Sequence, residues 1–119
     1  GLPDASIDVT VKVPMLLQVT IHGAEGLQEK VQQCTCDVEF EGKHRATFRT
    51  PQLPASSRNP VWEFEHDLDM FFEDEVLHFK VMKSGGMMSR ASVVGEAYLS
   101  AEDISQGRTG GTLSLRKDG

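Results

Sequence analysis

The chain has 119 residues, 39% of them apolar and 25% charged, with a formal net charge of −6 at pH 7. That is the size of one domain with one core. No apolar run approaches the ~20 residues of a membrane-crossing helix. The acidic balance excludes nucleic acid as the main partner, because phosphate binding needs a basic face, and it weakens non-specific attraction to anionic lipid. With neither an initiator Met nor a signal-peptide pattern, residues 1–119 are expected to be a single domain excised from a longer protein.

Most of the chain reads with period 2, the spacing of a half-buried strand. Ile7, Val9, Val11 and Val13 alternate with Asp8, Thr10 and Lys12, and Pro14 ends that strand. Leu17, Val19 and Ile21 follow, and Gly23 and Gly26 break the pattern. Cys34, Cys36, Val38 and Phe40 share a face opposite Asp37, Glu39 and Glu41. Residues i and i+2 of a strand lie roughly 6.5–7 Å apart, near or beyond the reach of an unstrained disulfide. Cys34 and Cys36 therefore read as reduced thiols, which suits an intracellular protein. The alternative, a Cys-x-Cys metal site, needs two more ligands that no His or Cys supplies at zinc spacing.

Ala46 and Phe48 share a face opposite Arg45, Thr47 and Arg49. A three-residue loop, Glu41-Gly42-Lys43, matches Val38 with Ala46 and Cys36 with Phe48, and sets Glu39 opposite Arg45. The alternative Gly42-Lys43 turn puts Arg45, Thr47 and Arg49 on the core face, so the hydrophobic pattern selects the three-residue loop. Pro60 cannot sit inside a central strand. Asn59-Pro60 therefore closes a loop, and a strand over 61–68 sends Trp62 and Phe64 inward and Glu63 and Glu65 outward. Leu77, Phe79 and Val81, then Val93 to Leu99, then Leu113 and Leu115 give the remaining strands. Ser100 with Asp103 three residues on predicts a capped helical turn over 101–105, ended by Gly107. The predicted fold is all-β, an eight-stranded antiparallel β-sandwich.

The order of several motifs resembles a C2 domain. Leu16 to Leu27 resembles the family's opening strand and Cys36-Asp37-Val38-Glu39-Phe40 its next core strand. Asn59-Pro60-Val61-Trp62 resembles its Asn-Pro-x-aromatic step. Glu75 to Val81 resembles the strand before the third top loop, and Val94-Gly95-Glu96 the step after it. The match runs from about Ile7 to Leu115. Read locally, strands 61–68 and 76–82 look like a hairpin with Glu65 near Lys80. The resemblance implies opposite sheets instead, and that is the expectation adopted.

Many C2 domains bind Ca²⁺, a hard cation that takes six to eight oxygen ligands, through about five Asp in two loops. Aligned on the resemblance, the loop-1 aspartate falls on Gln33 or Cys34. The Asp-x-Asp pair falls on Lys83 and Gly85, and the late aspartate on Ala91 or Ser92. Glu29 is the carboxylate left in loop 1. The resemblance thus implies a calcium-independent member, with no metal and no cofactor.

Two lipid-binding surfaces are candidates. In the third loop, Met87 and Met88 can enter the headgroup region while Lys83 and Arg90 meet phosphates, a two-signal attachment. The plainer reading tucks one Met onto the sandwich. The second surface is Lys43, His44, Arg45 and Arg49, where some relatives hold phosphoinositides. Against it, Asp37, Glu39 and Glu41 on the facing strand are expected to neutralise Arg45 and Arg49. A protein partner is the third candidate. Glu63, Glu65, Asp67, Asp69, Glu73, Asp74 and Glu75 form an acidic stretch, ordinarily a solvated face, or else a surface for a basic protein segment. Phe71 and Phe72 are core or loop anchors. No Ser/His/acid spacing suggests a triad and no glycine-rich loop precedes a helix, so no enzyme is expected. The expected role is a targeting module that attaches its parent protein to acidic-phospholipid membranes, to protein partners, or to both. The alternative is a docking domain without lipid binding. The expected location is intracellular, in the cytoplasm or peripheral on the cytoplasmic face of a membrane.

Overall fold

A computed structural model describes residues 5–12, 17–68, 74–83, 92–105 and 110–116. Its elements are β1 (Ser6–Lys12), β2 (Leu17–Glu25), β3 (Gln33–Phe40), β4 (Lys43–Arg49), β5 (Val61–Leu68), β6 (Val76–Lys83), β7 (Ser92–Ser100), α1 (Ala101–Ser105) and β8 (Gly110–Ser114). One sheet has the order β5-β2-β1-β8 and the other β4-β3-β6-β7, with every pairing antiparallel. The eight-stranded sandwich is thus the observed fold. β5 and β6 lie in different sheets, as the family likeness implied, and the local hairpin reading does not hold.

The alternation explains the layers. Val9, Val11, Val19 and Ile21 of one sheet and Cys36, Val38, Leu77 and Phe79 of the other are all buried in one core. Trp62 and Phe64 pack on that core while Glu63 and Glu65 face out. Cys34 and Cys36 are free thiols in the core. Burial pushes both thiols well above their ordinary range, and for Cys36 neighbouring negative charge adds to the effect. The short helix carries the predicted reciprocal cap. Asp103 N donates to Ser100 Oγ at 3.0 Å, and Ser100 N donates to Asp103 Oδ2 at 3.3 Å. Val13, Phe71, Phe72 and Gly107 lie outside the described residues.

Three expectations are corrected. The β3–β4 hairpin closes with the two-residue turn Glu41-Gly42, in which φ is 51° and 79°. Positive φ at both positions is the geometry whose twist suits a hairpin. Phe40 then pairs with Lys43 and Glu39 with His44, and a bulge follows, so that Val38 still meets Ala46. Arg45 is the extra residue of that bulge and does not face Glu39. Phe40 shares the parity of the core residues but sits at the strand end, 41% exposed. Second, Gly23 does not end β2. The strand runs on to Glu25 through a bulge at His22, where Ile21 and Gly23 flank the register shift against β5. Gly23 is needed there because a Cβ would lie 2.5 Å from the Pro60 carbonyl oxygen. Third, Leu115 lies just past β8, yet is buried against Gly95.

Candidate functional site

The strand directions bring the connections 26–32, 50–60 and 84–91 to one end of the sandwich. The first two are stitched together. Val31 and Ser57 exchange backbone hydrogen bonds of 2.8 and 2.9 Å. Leu53 N donates to Gln32 O at 3.0 Å, and Trp62 Nε1 donates to the same carbonyl at 3.1 Å. The Asn59-Pro60 step is a latch. Asn59 Oδ1 accepts from Gly26 N at 3.1 Å, and Pro60 O accepts from Ala24 N at 2.9 Å. Rigid elements position charged groups more precisely than a free loop does, and this stitching supplies that rigidity.

A cleft of about 410 Å³ opens between these connections. Lys30, Arg58 and Lys83 line it together with one carboxylate, Glu29. Lys83 Nζ lies 2.7 Å from Glu29 Oε1, so that carboxylate is already neutralised. Lys30 and Arg58 are exposed and have no ion-pair partner among the described residues. The other positions matched to calcium ligands are equally unsuited. Cys34 is buried, Gln33 donates to Thr50 O at 2.8 Å, and Ser92 is an exposed hydroxyl.

Of the predicted loop residues, Lys83 sits at the end of β6 in this cleft. Met87, Met88 and Arg90 lie outside the described residues, as do Gly85 and Ala91. Sequence reasoning missed Lys30 and Arg58. The signal for Arg58 was in plain view, in the residue before Asn59-Pro60.

The strand patch does not act as a unit. Lys43, His44, Arg45 and Arg49 are all exposed on β4. His44 Nε2, however, faces Glu39 Oε2 at 3.3 Å and Asp37 Oδ2 at 3.5 Å. Arg45 forms a two-pronged pair with the buried Glu75, its Nη2 donating to Oε1 at 3.0 Å and its Nε to Oε2. The expected neutralisation of Arg45 by β3 carboxylates is therefore wrong in its partner. Asp37 instead takes an ion pair from Lys80 and a hydrogen bond from Thr47. Burial pushes the Asp37 carboxyl up, but the Lys80 and Thr47 hydrogen bonds and the charges of Lys80 and His44 outweigh it and hold it below 3.8. Next to it His78, stacked under Tyr98 with ring centres 4.1 Å apart, lies between Glu39 at 2.7 Å and Glu96 at 2.8 Å. Lys43 and Arg49 are the patch members without an ion pair among the described residues.

A loop-bearing antiparallel sandwich whose polar groups converge on one loop end is built as a recognition module. The chain belongs to the C2 domain family, whose family model matches residues 15–115. C2 domains are in general non-catalytic binding modules that engage membranes or proteins. Among solved structures, the chain is similar to the third C2 domain of KIAA1228 protein, with a TM-score of 0.76 at 18% identity, over 99% of this chain and 92% of that one. It is similar to the A-type C2 domain of RIM from Drosophila, with a TM-score of 0.74 at 13% identity, over 94% and 98% of the two chains. It is also similar to the A-type C2 domain of RIM2, with a TM-score of 0.75 at 15% identity, over 98% and 100%. At such identities the likeness shows the fold. No curated protein matches the sequence at a significant level.

Proposed function

We propose that the domain attaches the protein that carries it to anionic phospholipid surfaces without calcium, through its loop end. One observation carries the reading: the loop-end cleft gathers Lys30, Arg58 and Lys83 around a single carboxylate that Lys83 already holds. An ammonium at 2.7 Å from Glu29 opposes a dication in the same place, while the uncommitted cations suit lipid phosphates. Met87, Met88 and Arg90, in the sequence of the third loop, supply apolar insertion and a further cation. The strand patch plays the lesser part, because His44 and Arg45 are held by the domain's own carboxylates. Among the described residues no helix is long and apolar enough to cross a membrane, so attachment is peripheral, and we place it on a cytoplasmic face.

Co-sedimentation with vesicles tests this directly. Equal binding to anionic vesicles in Ca²⁺ and in chelator, with loss on neutral vesicles, is the expected result. Binding that appears only with Ca²⁺ overturns the calcium-independent reading. Met87→Ser with Met88→Ser should weaken binding, and unchanged binding removes the insertion step. A second reading rests on the outer face of the β5-β2-β1-β8 sheet, where Asp8, Glu63, Glu65 and Asp67 are exposed. That face suits a basic protein segment, and absence of binding to any vesicle would favour it.

A further inference from the structure

We infer that Asp37, Glu39 and His44 form a site for a zinc-type divalent metal ion on the outer face of the β4-β3-β6-β7 sheet, a site independent of the membrane reading. The three side chains each offer one ligand atom, and these atoms lie within 4.8 Å of one another. A tetrahedral ion with bonds of ~2.0–2.1 Å to nitrogen and oxygen separates neighbouring ligand atoms by roughly 3.3 Å. His44 Nε2 stands 3.3 Å from Glu39 Oε2 and 3.5 Å from Asp37 Oδ2. Those spacings are long for charge-assisted hydrogen bonds, which run about 2.7–2.9 Å, and they match the edges of a metal tetrahedron. One imidazole and two carboxylates form a donor set suited to zinc.

The fold builds this cluster through the corrected register. β3 parity puts Asp37 and Glu39 on one face, and the β4 bulge sets His44, not Arg45, opposite Glu39. Both carboxylates are oriented from behind. Thr47 Oγ1 donates to Asp37 Oδ1 and leaves Oδ2 for the cluster. Oδ2 accepts no hydrogen bond of ordinary geometry, although the Lys80 ammonium touches it as an ion-pair partner. His78 Nδ1, 2.7 Å from Glu39 Oε2, fixes the second carboxylate and is itself braced by Glu96 at 2.8 Å. Such outer partners are what orient metal ligands in built sites. Asp37 is 2% exposed, whereas the His44 side chain is 56% exposed, so the cluster opens to solvent on one side for entry and for a water ligand.

Lys80 is the competitor. Its ammonium neutralises Asp37 in the metal-free domain, and its side chain is 20% exposed, so it has a path into solvent when the ion arrives. Two carboxylates then balance a dication. Three protein ligands and a displaced ammonium make the site weaker than a four-ligand structural zinc site.

Titration of the intact domain with Zn²⁺, and with Co²⁺ as a spectroscopic substitute, tests the site. Saturation at one ion per chain is expected, with visible d–d bands of four-coordinate Co²⁺ and no thiolate charge-transfer band. His44→Ala should weaken binding at least tenfold. His22→Ala should leave it unchanged. Lys80→Met should tighten it severalfold, because the competing cation is gone. Absence of saturable binding, equal binding by His44→Ala, or a thiolate band placing the ion on Cys34 and Cys36 overturns the site. His44 is exposed, so its alanine variant folds and the comparison stands even where Lys80→Met does not fold.

Discussion

Arg45 separates a lipid contact from a structural ion pair. Its partner Glu75 is 1% exposed, and the guanidinium meets both carboxylate oxygens. Replacing Arg45 by Ala leaves a buried carboxylate without its counter-charge. Breaking such a pair costs ~3–5 kcal/mol, and since Arg45 is 34% exposed, water entering the gap favours the low end, about 3 kcal/mol. At roughly 4 °C per kcal/mol for a domain of this size, the melting temperature should fall by about 12 °C. Glu75→Leu with Arg45→Met should recover much of that loss, because an apolar pair replaces a buried charge pair at little cost. Thermal and urea unfolding read the stability, and vesicle binding is measured below the new midpoint. The expected variant is less stable and binds anionic vesicles as the parent does. A variant with unchanged stability and lost vesicle binding refutes the argument and restores the strand patch as the lipid site.

Three further outcomes follow from the same geometry. Lys30→Ala with Arg58→Ala removes two loop-end cations worth ~1 kcal/mol each near an anionic surface. Vesicle partitioning at low salt should therefore drop about 30-fold without change in melting temperature. Gly23→Ala drives a Cβ against the Pro60 carbonyl oxygen, 2.5 Å away. A rigid backbone clash of this kind costs ~1–3 kcal/mol, which urea unfolding should show, and a neutral result would mean that the latch at Pro60 gives way freely. The folded Asp37 carboxyl is held below 3.8, so its contribution is complete above the unfolded value of ~3.9 and is lost as pH falls through the lower folded value. The stability gap between the parent and Asp37→Asn should accordingly shrink below about pH 5, and a gap that widens on acidification contradicts the pairing with Lys80 and Thr47.

Alternation made the layers legible. Val9, Ile21, Cys36, Phe79 and Leu99 stand at positions whose parity alone marks them as core, and all are buried. Ser100 with Asp103 located the helix because both halves of its cap lie three residues apart. The bulges at His22 and Arg45 were illegible for a physical reason. A one-residue insertion costs the ladder little, and its position is decided by distant groups, Glu63 and Thr10 around His22 and Glu75 for Arg45. The hairpin turn was misread because Glu41 adopts positive φ, an uncommon conformation for a residue other than glycine. The charge network failed likewise. Proximity along β3 and β4 suggested Arg45 with Glu39, while the fold brings Lys80, His78 and Glu96 from β6 and β7 to the same face. Loops have no period, so Lys30 and Arg58 carried no pattern until Val31 and Ser57 joined their two segments.

Net charge is the wrong measure of what this domain approaches. At −6 the whole chain is acidic, and a sphere bearing that charge is repelled by anionic lipid. The charge is not spread evenly, though. Segments 26–32, 50–60 and 83–91 together hold four cations, Lys30, Arg58, Lys83 and Arg90, against Glu29 alone. The molecule is 39 Å in its longest dimension, whereas salt screens exposed charges beyond about 8–10 Å. A membrane touching the loop end therefore senses the cations there and little of the acid on β5. The remote carboxylates still act at longer range, turning the domain so that its loop end leads. Raising the salt shortens both effects, and binding that grew stronger with ionic strength would place the contact on the apolar residues instead.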